Sequence, residues 1–156
     1  MSKLDDRLAE LGLTVPTTSK PVAAYIPAVA SGNLVYTSGQ LPMVEGALPM
    51  TGKVGVEVDA DAAKQLARTC VLNGLAAARS AIGSLDRITR VVKVVGFVAS
   101  DPSFTGQPGV INGASELLAE IFGESGQHAR SAVGVAVLPL DAPVEVVRAS
   151  ALSLRV

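Results

Sequence analysis

Residues 88–100 read ITRVVKVVGFVAS, and this stretch decides the fold. It is rich in β-branched residues, which fit the half-buried surface of a pleated sheet better than the crowded turn of a helix. The run is also long for a strand. It is therefore predicted to be a long strand at the centre of a sheet.

One helix is predicted before this strand in the chain, and another is predicted after it. The first runs from Asp59, which can cap its N-terminus, to about Ile82, and Gly83 ends it. A second helix covers VINGASELLAEIFG (110–123). Small side chains in the apolar stripe of the first helix allow close packing on a sheet, and they predict a buried Cys70 rather than a reactive thiol. The stripe consists of Ala63, Leu66, Cys70, Gly74, Ala78 and Ile82.

Further elements are predicted toward the two ends of the chain. A short amphipathic helix covers residues 3–11, and four more strands are NLVYTSG (33–39), KVGVEV (53–58), SAVGVAVLP (131–139) and APVEVVRASALSL (142–154). From the first strand onward the order is β-β-α-β-α-β-β. This order predicts an α+β, two-layer domain in which helices cover one face of a mixed sheet. The opposite face then needs a partner.

The charged residues of the chain limit the classes of partner that we expect it to bind. Its 156 residues contain 13 basic and 14 acidic side chains, and no dense basic run, so a nucleic-acid partner is not expected. Charged residues make up 17% of the chain, against roughly 25% in typical soluble domains. We therefore expect part of the surface to be buried against other copies of the chain, in a homo-oligomer.

The cysteine content and the N-terminal sequence indicate the cellular compartment of the protein. The single cysteine excludes an intrachain disulfide, and with one histidine it leaves too few ligands for a Cys/His metal cage. Asp5, Asp6 and Glu10 lie where a secretory signal would need a cationic start and an apolar core. No stretch approaches the roughly 20 apolar residues of a membrane span. We expect a cytoplasmic protein with no metal and no membrane partner.

One arginine, Arg130, stands between the only histidine and an apolar run in HARSAVGVAVLP (128–139). It is either a solvated arginine at the start of a strand, one paired with a nearby acid, or an anchor for an anion. A guanidinium presents a planar fork that a carboxylate matches with two hydrogen bonds, which a lysine cannot reproduce. Arg130 is therefore a candidate for holding a carboxylate ligand.

Glu145 lies in APVEVVRA (142–149), where period-two alternation places it on the same strand face as Val147 and Ala149. Its carboxylate is either turned to solvent at the strand start or held in a partly buried site, where its pKa would rise. The second arrangement is the one that a water-activating base requires.

The lone histidine and the glycine-rich turns carry weaker signals. A histidine is a common base in RNA cleavage, but His128 has no second acid–base partner in sight, so we interpret it as a surface or interface residue. The glycines near Gly39 and Gly109 match neither the dinucleotide fingerprint nor the P-loop. They are interpreted as turns, although backbone N–H groups in NLVYTSGQ (33–40) could receive an anion.

Three segments carry a resemblance to a known family. YIPAVASGNLVYTSGQLP (25–42), VINGAS (110–115) and ARSAVGVAVLPLDAPVEV (129–146) resemble the RidA family, the YjgF-like reactive imine deaminases also called L-PSP endoribonucleases. The resemblance runs over most of the chain from about Lys20. It implies a single chorismate-mutase-like domain over residues 1–156, in which residues 1–19 form an N-terminal extension.

The resemblance also implies a site and an assembly. Arg130, the arginine of the ARS motif, would hold a carboxylate-bearing ligand, and Glu145 would place or activate the attacking water. The family assembles as a homotrimer with its clefts between subunits, and it needs no metal and no bound cofactor. Five further positions would contact the ligand, the last through its backbone: Tyr25, Ser38, Gly39, Asn112 and Ala132.

The implied activity is hydrolysis of a short 2-imino acid to the 2-keto acid and ammonia. One alternative is a module that binds keto acids without catalysis, and another is an endoribonuclease. Three positions depart from the family pattern: Gln127-His128 replaces an aromatic–proline pair, Ala132 replaces a cysteine, and Val147 replaces a second strand glutamate. These substitutions bear on substrate choice.

Overall fold

A computed structural model describes residues 2–18 and 24–153. Its helices and strands follow one another in the order predicted for a mixed α+β sheet domain. They are α1 (Lys3–Glu10), β1 (Ala28–Ser31), β2 (Leu34–Thr37), α2 (Ala60–Ile82), β3 (Ile88–Ala99), α3 (Gln107–Phe122), β4 (Ala129–Val135) and β5 (Val144–Leu152). The Asp59 carboxylate caps α2 by accepting the Ala62 N–H at 2.7 Å, as the sequence predicts.

The sheet has the strand order β1-β2-β5-β3-β4. Neighbouring strands are antiparallel except β3 and β4, which are parallel, so the sheet is mixed as predicted. Helix α2 packs on β1, β2 and β5, and α3 packs on β3 and β4. Both helices therefore cover one face of the sheet. This is the two-layer α+β arrangement expected from the sequence, with the long strand β3 inside the sheet.

Alternation along the strands separates the two faces. Every second residue of β5 is buried on the helix-covered face, from Val144 to Leu152, whereas the alternate residues, such as Glu145 and Val147, are only half-buried. The face away from the helices is mostly apolar, and none of the described helices or strands of this chain covers it. Its side chains include Tyr36, Val95, Phe97, Val133, Val147 and Ala149.

The N-terminal helix α1 docks on the rest of the domain. Leu8 is buried in the common core. The backbone N–H groups of Lys3 and Leu4 donate to the Asp86 carboxylate at 3.1 and 2.9 Å. The positive end of the helix is thus held by an acidic side chain just before β3. Within the described residues, no helix combines the length and apolar character needed to cross a membrane.

The structure corrects two predicted elements. Residues 53–58 form no strand: they make a turn in which Gly55 has φ +93, tied together by single bridges from Val54 to Val58 and Ser100. The structure instead has a strand that was not predicted, Ala28–Ser31, which pairs with Leu34–Thr37. Positive φ at a glycine breaks the alternation on which the predicted strand rested.

Two element starts also move. Helix α3 begins at Gln107 and β4 begins at Ala129, earlier than predicted in both cases. Arg130 is therefore the second residue of β4 and does not precede the strand. Alternation along β4 therefore determines the face of the sheet on which the Arg130 side chain lies.

Candidate functional site

Arg130 lies on the helix-covered face of the sheet, on β4, which is one of its two edge strands. It pairs with Val94 of β3, and the two side chains share a face because register partners do so in a parallel pair. Val94 is fully buried beneath α3, whereas Arg130 is half-buried. The guanidinium therefore reaches from the sheet margin toward α3.

Two oxygens of α3 accept hydrogen bonds from the Arg130 guanidinium. Its Nη1 donates to Asn112 Oδ1 at 2.8 Å and to Ser115 Oγ at 3.3 Å. Nη1 carries two hydrogens, so both are used. Among the ion pairs formed by described residues, none involves Arg130. Its positive charge is held in place without being neutralised by a described carboxylate.

His128 continues this hydrogen-bond network. Its Nε2 lies 2.9 Å from Ser115 Oγ, and its Nδ1 lies 2.6 Å from the carbonyl oxygen of Gly126. The interpretation of His128 as an ordinary surface or interface residue therefore missed its place beside Arg130. The spacing of Asn112 and Ser115, three residues apart on one face of α3, indicates that these two side chains lie together, but no local pattern indicates the contact with His128.

Glu145 lies on the open face of the sheet, at the second position of β5. It pairs with Phe97, and it shares this face with Val147 and Ala149 as the alternation predicted. The side chain is half-buried, and burial raises the pKa of its carboxyl above the usual value. Of the two predicted arrangements, the structure has the partly buried one.

The Glu145 carboxylate lies directly against Gly39. A Cβ built on residue 39 would overlap Oε1 of that carboxylate, so only glycine allows this approach. The neighbouring backbone is fixed by a pair of hydrogen bonds, from Gln40 N–H to Val146 O at 2.9 Å and from Val146 N–H to Gln40 O at 3.1 Å. The loop after β2 is thereby held beside the start of β5.

Tyr25 and Ser38 lie near the same loop. Tyr25 is 58% exposed. The Ser38 hydroxyl donates to Ile26 O at 2.7 Å and its N–H to Pro27 O at 2.8 Å, so it ties down the segment that carries Tyr25. A cleft of about 530 Å³ opens here. Its lining includes Tyr25, Pro27, Gly39, Met43, Asn73 and Leu140.

The predicted site residues thus form two groups in one chain. The first, on β4 and α3, contains Arg130, Asn112 and the half-buried Ala132, which pairs with Gly96. The second surrounds the Glu145 carboxylate. The groups lie on opposite faces of the sheet, and their strands are separated by β3. The register places them about 10 Å apart along the strands and about 10 Å apart across them. One chain does not bring Arg130 and Glu145 together.

Arg148 is a buried cation that the sequence analysis did not single out. Arg148 is 4% exposed beneath α2, and its Nη2 donates to Gly74 O at 3.5 Å. Its Nε and Nη1 have no partner among the described residues, and burial lowers its pKa to about 10. Period-two alternation with Val146 on the helix-facing side was the available signal.

Cys70 is buried, as predicted. It is 1% exposed in the α2 stripe, and burial raises the pKa of its thiol, with the negative charge of Glu145 adding to the effect. A raised pKa keeps the thiol protonated at neutral pH. Cys70 is therefore a packing residue and not a nucleophile of either group.

Comparison with known proteins places this fold and sequence in one family. Residues 5–151 match the family described as "YjgF/chorismate_mutase-like, putative endoribonuclease". Protein TCP17 of Trypanosoma cruzi is 45% identical over 140 residues, which cover 89% of this chain and 88% of that protein. These matches extend across nearly all described elements.

Solved structures give the same result. A protein of unknown function from Agrobacterium tumefaciens, Atu1372, has a TM-score of 0.89 and 48% identity, over 96% of this chain and 92% of that one. A structure from Shewanella oneidensis, described as a "putative endoribonuclease", has a TM-score of 0.92 and 31% identity, over 97% and 100% of the two chains. The protein with Arg130 on its sheet margin and Glu145 against Gly39 belongs to the YjgF/chorismate-mutase-like family.

Proposed function

We propose that the protein hydrolyses reactive 2-imino acids to 2-keto acids and ammonia, at sites shared between neighbouring subunits of a homotrimer. Arg130 of one subunit holds the substrate carboxylate, and Glu145 of the next activates water. The observation that carries the proposal is the pair of incomplete groups: a fixed guanidinium without a described acid, and a half-buried carboxylate with a raised pKa.

The positions of the two groups favour a shared site. Arg130 and Glu145 lie on opposite faces of the sheet in one chain. The Glu145 of a chain therefore cannot activate water for a substrate that is held by the Arg130 of the same chain. Arg130 is on the edge strand β4, where a second copy can approach it. A neighbouring subunit that supplies Glu145 and Gly39 would complete the set.

The open face of the sheet favours assembly. Phe97, Val133 and Val147 lie on it beside Glu145, and contiguous apolar surface of this kind is typical of interfaces. Burying this face against other copies would also account for the low charged fraction of 17%. A closed ring is the usual form of such homo-oligomers, and the family resemblance implies three copies.

The chemistry follows from the two charged groups. The imine carbon of a protonated 2-imino acid is electrophilic, and Arg130 fixes its position through the adjacent carboxylate. As water adds, the new C–O bond forms and Glu145 takes one water proton. Glu145 returns this proton to the nitrogen of the resulting amino alcohol, and the C–N bond breaks with release of ammonia. As the carbonyl forms, the hydroxyl proton passes through Glu145 to the ammonia, which leaves as ammonium. The net reaction consumes one water and yields the keto acid and ammonium.

An assay of imine decay tests this proposal. 2-Iminopropanoate or 2-iminobutanoate is generated in situ, and its loss is followed with the wild type, Arg130→Ala, Glu145→Gln and the control Arg90→Ala, an exposed arginine of β3. We expect acceleration by the wild type and the control, and a loss of at least about a hundredfold in the two site variants. A wild type that does not exceed the spontaneous rate would refute the proposal.

Mixing the two inactive variants tests the shared site. In a mixed assembly, an Arg130→Ala subunit offers its intact Glu145 to an Arg130 supplied by a Glu145→Gln subunit. Activity should therefore return when the two proteins are unfolded and refolded together, and not when each is refolded alone. No recovery in the mixture, under conditions in which refolded wild type regains its activity, would refute the shared site.

A second candidate function is binding of keto acids without turnover. It is favoured by the Arg130 group, in which Asn112 and Ser115 fix the guanidinium without any contact with Glu145. Calorimetric titration with 2-oxobutanoate, alongside the imine assay, separates the two functions. Binding that Arg130→Ala removes, with no acceleration of imine decay, would favour this candidate.

RNA cleavage has weaker support from the geometry. A base needs an available ring nitrogen, and both nitrogens of His128 already have partners in Gly126 and Ser115. RNA cleavage that is lost in His128→Ala and kept in Arg130→Ala would restore this alternative.

A further inference from the structure

The hydrogen-bond network beside Arg130 has a consequence for how a ligand is held. We propose that Ser115 and His128 are positioning residues, which fix Nη1 of Arg130 and so direct the carboxylate of a ligand to the Nε–Nη2 edge of the guanidinium. The statement about the ligand depends on the proposed function, whereas the hydrogen-bond relay does not.

The relay has one consistent set of donors and acceptors. The Gly126 carbonyl can only accept, so His128 Nδ1, at 2.6 Å, must carry a proton. In the neutral ring Nε2 is then bare, and it accepts the hydroxyl proton of Ser115 across 2.9 Å. With its proton committed to His128, Ser115 Oγ turns its lone pairs toward Arg130 and accepts from Nη1 at 3.3 Å.

The relay joins three parts of the fold around one guanidinium. Ser115 belongs to α3, Gly126 ends the short helical turn Gly123–Gly126, and His128 lies just before β4. Asn112, one helical turn before Ser115, accepts the other Nη1 hydrogen at 2.8 Å. Rotation of the guanidinium about its long side chain would break both of these bonds.

The hydrogens that Arg130 has already used determine which edge of its guanidinium remains for a ligand. With both Nη1 hydrogens used, the end-on Nη1–Nη2 edge cannot take a carboxylate through two bonds. Nε and Nη2 each keep a hydrogen that donates to no described residue. Two parallel bonds from this edge fix both the position and the plane of a carboxylate. Ser115 and His128 thus set the orientation in which the imine or keto carbon is presented.

The first experiment uses the fact that the chain has a single histidine. Nitrogen-15 NMR of the wild type at pH 8 should show a protonated Nδ1 and a bare Nε2, the reverse of the tautomer that dominates in free histidine. In Ser115→Ala the Nε2 resonance should move as it loses its donor. A wild-type spectrum of the Nε2-protonated tautomer would overturn the relay, whatever the protein catalyses.

The second experiment separates positioning from a general structural role. Ser115→Ala should raise KM for the imine, and the Kd for pyruvate, on the order of tenfold while kcat stays within about twofold. Ser115→Thr keeps a hydroxyl and should restore both values. Because the two residues act in series, Ser115→Ala/His128→Ala should be no worse than Ser115→Ala. Ser80→Ala removes an exposed helix serine bonded only to Ala77 O, and serves as control.

The outcomes distinguish the relay from the function. Additive effects in the double variant, or an unchanged KM and Kd in Ser115→Ala, would overturn the positioning role. If the wild type neither accelerates imine decay nor binds pyruvate, the proposed function and the ligand orientation both fail. The tautomer of His128 then decides the relay alone.

Discussion

Arg130 and Arg148 lie in one row across the helix-covered face of the sheet, on the two strands that flank β3, and both pair with Val94. Their surroundings differ. Arg130 is half-buried and gives Nη1 to two oxygens, whereas Arg148 is buried with Nε and Nη1 unpartnered among the described residues. Under the proposed function Arg130 holds a ligand, whereas Arg148 is a charge whose burial costs stability.

Replacing Arg148 with methionine should stabilise the protein. The folded-state pKa of Arg148 is lowered to about 10, so folding disfavours the charged form that the unfolded chain keeps at pH 7. Methionine fills a similar volume without a charge. We expect a gain of about 1–2 kcal/mol in the free energy of unfolding, or several degrees in Tm, measured by denaturant and thermal unfolding.

The matched control for this variant is Arg90→Met. Arg90 is exposed on β3, and its replacement should change the free energy of unfolding by less than about 0.5 kcal/mol. If Arg148→Met instead lowers stability, the guanidinium has a partner that satisfies its charge, and the expected gain is refuted.

Adding one methyl group at Gly39 should disable the site. In Gly39→Ala the new Cβ overlaps the Glu145 carboxylate, which must move away from its place beside the loop. We expect loss of imine turnover of at least about tenfold, whereas stability should change by less than about 1 kcal/mol, because the flexible end of the Glu145 side chain can swing aside. Gly109→Ala, in α3 with open space at the Cβ position, should instead gain about 0.5–1 kcal/mol. Full activity in Gly39→Ala would contradict a fixed Glu145.

Replacing Glu145 with glutamine should change how the stability of the protein depends on pH. The pKa of Glu145 is raised in the folded state, so its proton favours folding at low pH, and this contribution is lost as pH rises through the folded-state pKa. The glutamine variant should therefore be more stable than the wild type at pH 7, with the difference disappearing near pH 4. Thermal unfolding across this range measures it. A wild type that is the more stable protein at pH 7 would contradict the raised pKa.

The same titration should appear in catalysis. A base works only when deprotonated, so kcat/KM of the wild type should rise with pH through the raised pKa of Glu145. Glu145→Gln should lose this limb of the profile. A rate that is flat across the acidic range would show that another group activates the water.

Charging the open face should prevent assembly. Val147 lies half-buried in the middle of that face, paired with Val95, so a lysine there would carry its charge into the proposed contact between copies. Val147→Lys should shift the protein from trimer to monomer in sedimentation velocity runs. Val56→Lys, at a loop residue that is 63% exposed, should leave the assembly unchanged. A wild-type monomer, or a trimeric Val147→Lys, would refute this interface.

Regular patterns in the sequence predicted most of the fold. Helix α2 follows from Asp59, its apolar stripe and Gly83, and β3 and β5 follow from their β-branched runs. The predicted strand at 53–58 is wrong because alternating valines also suit a tight turn once Gly55 takes a positive φ. Strand Ala28–Ser31 was missed because it is short and composed of small residues, and it depends on pairing with Leu34–Thr37.

The local environments of the candidate site residues were predictable one by one, and their arrangement in space was not. Local spacing placed Glu145 on a face with Val147 and made Arg130 one candidate for an anion anchor, a role that only the family resemblance selected. The separation of these two residues onto opposite faces depends on the register of β3 with both β4 and β5, which no local pattern encodes. The contact of His128 with Ser115 likewise joins residues 13 positions apart through a tertiary fold.

The placement of Arg130 on an edge strand bears on how such a protein would behave when it is scarce. A reaction centre completed by a second copy exists only while the copies remain associated, so dilution would switch the enzyme off before any chain unfolds. Under the proposed mechanism, the turnover per chain would rise with the amount of protein present. The abundance of the protein would then regulate how well each copy works as well as how many copies there are.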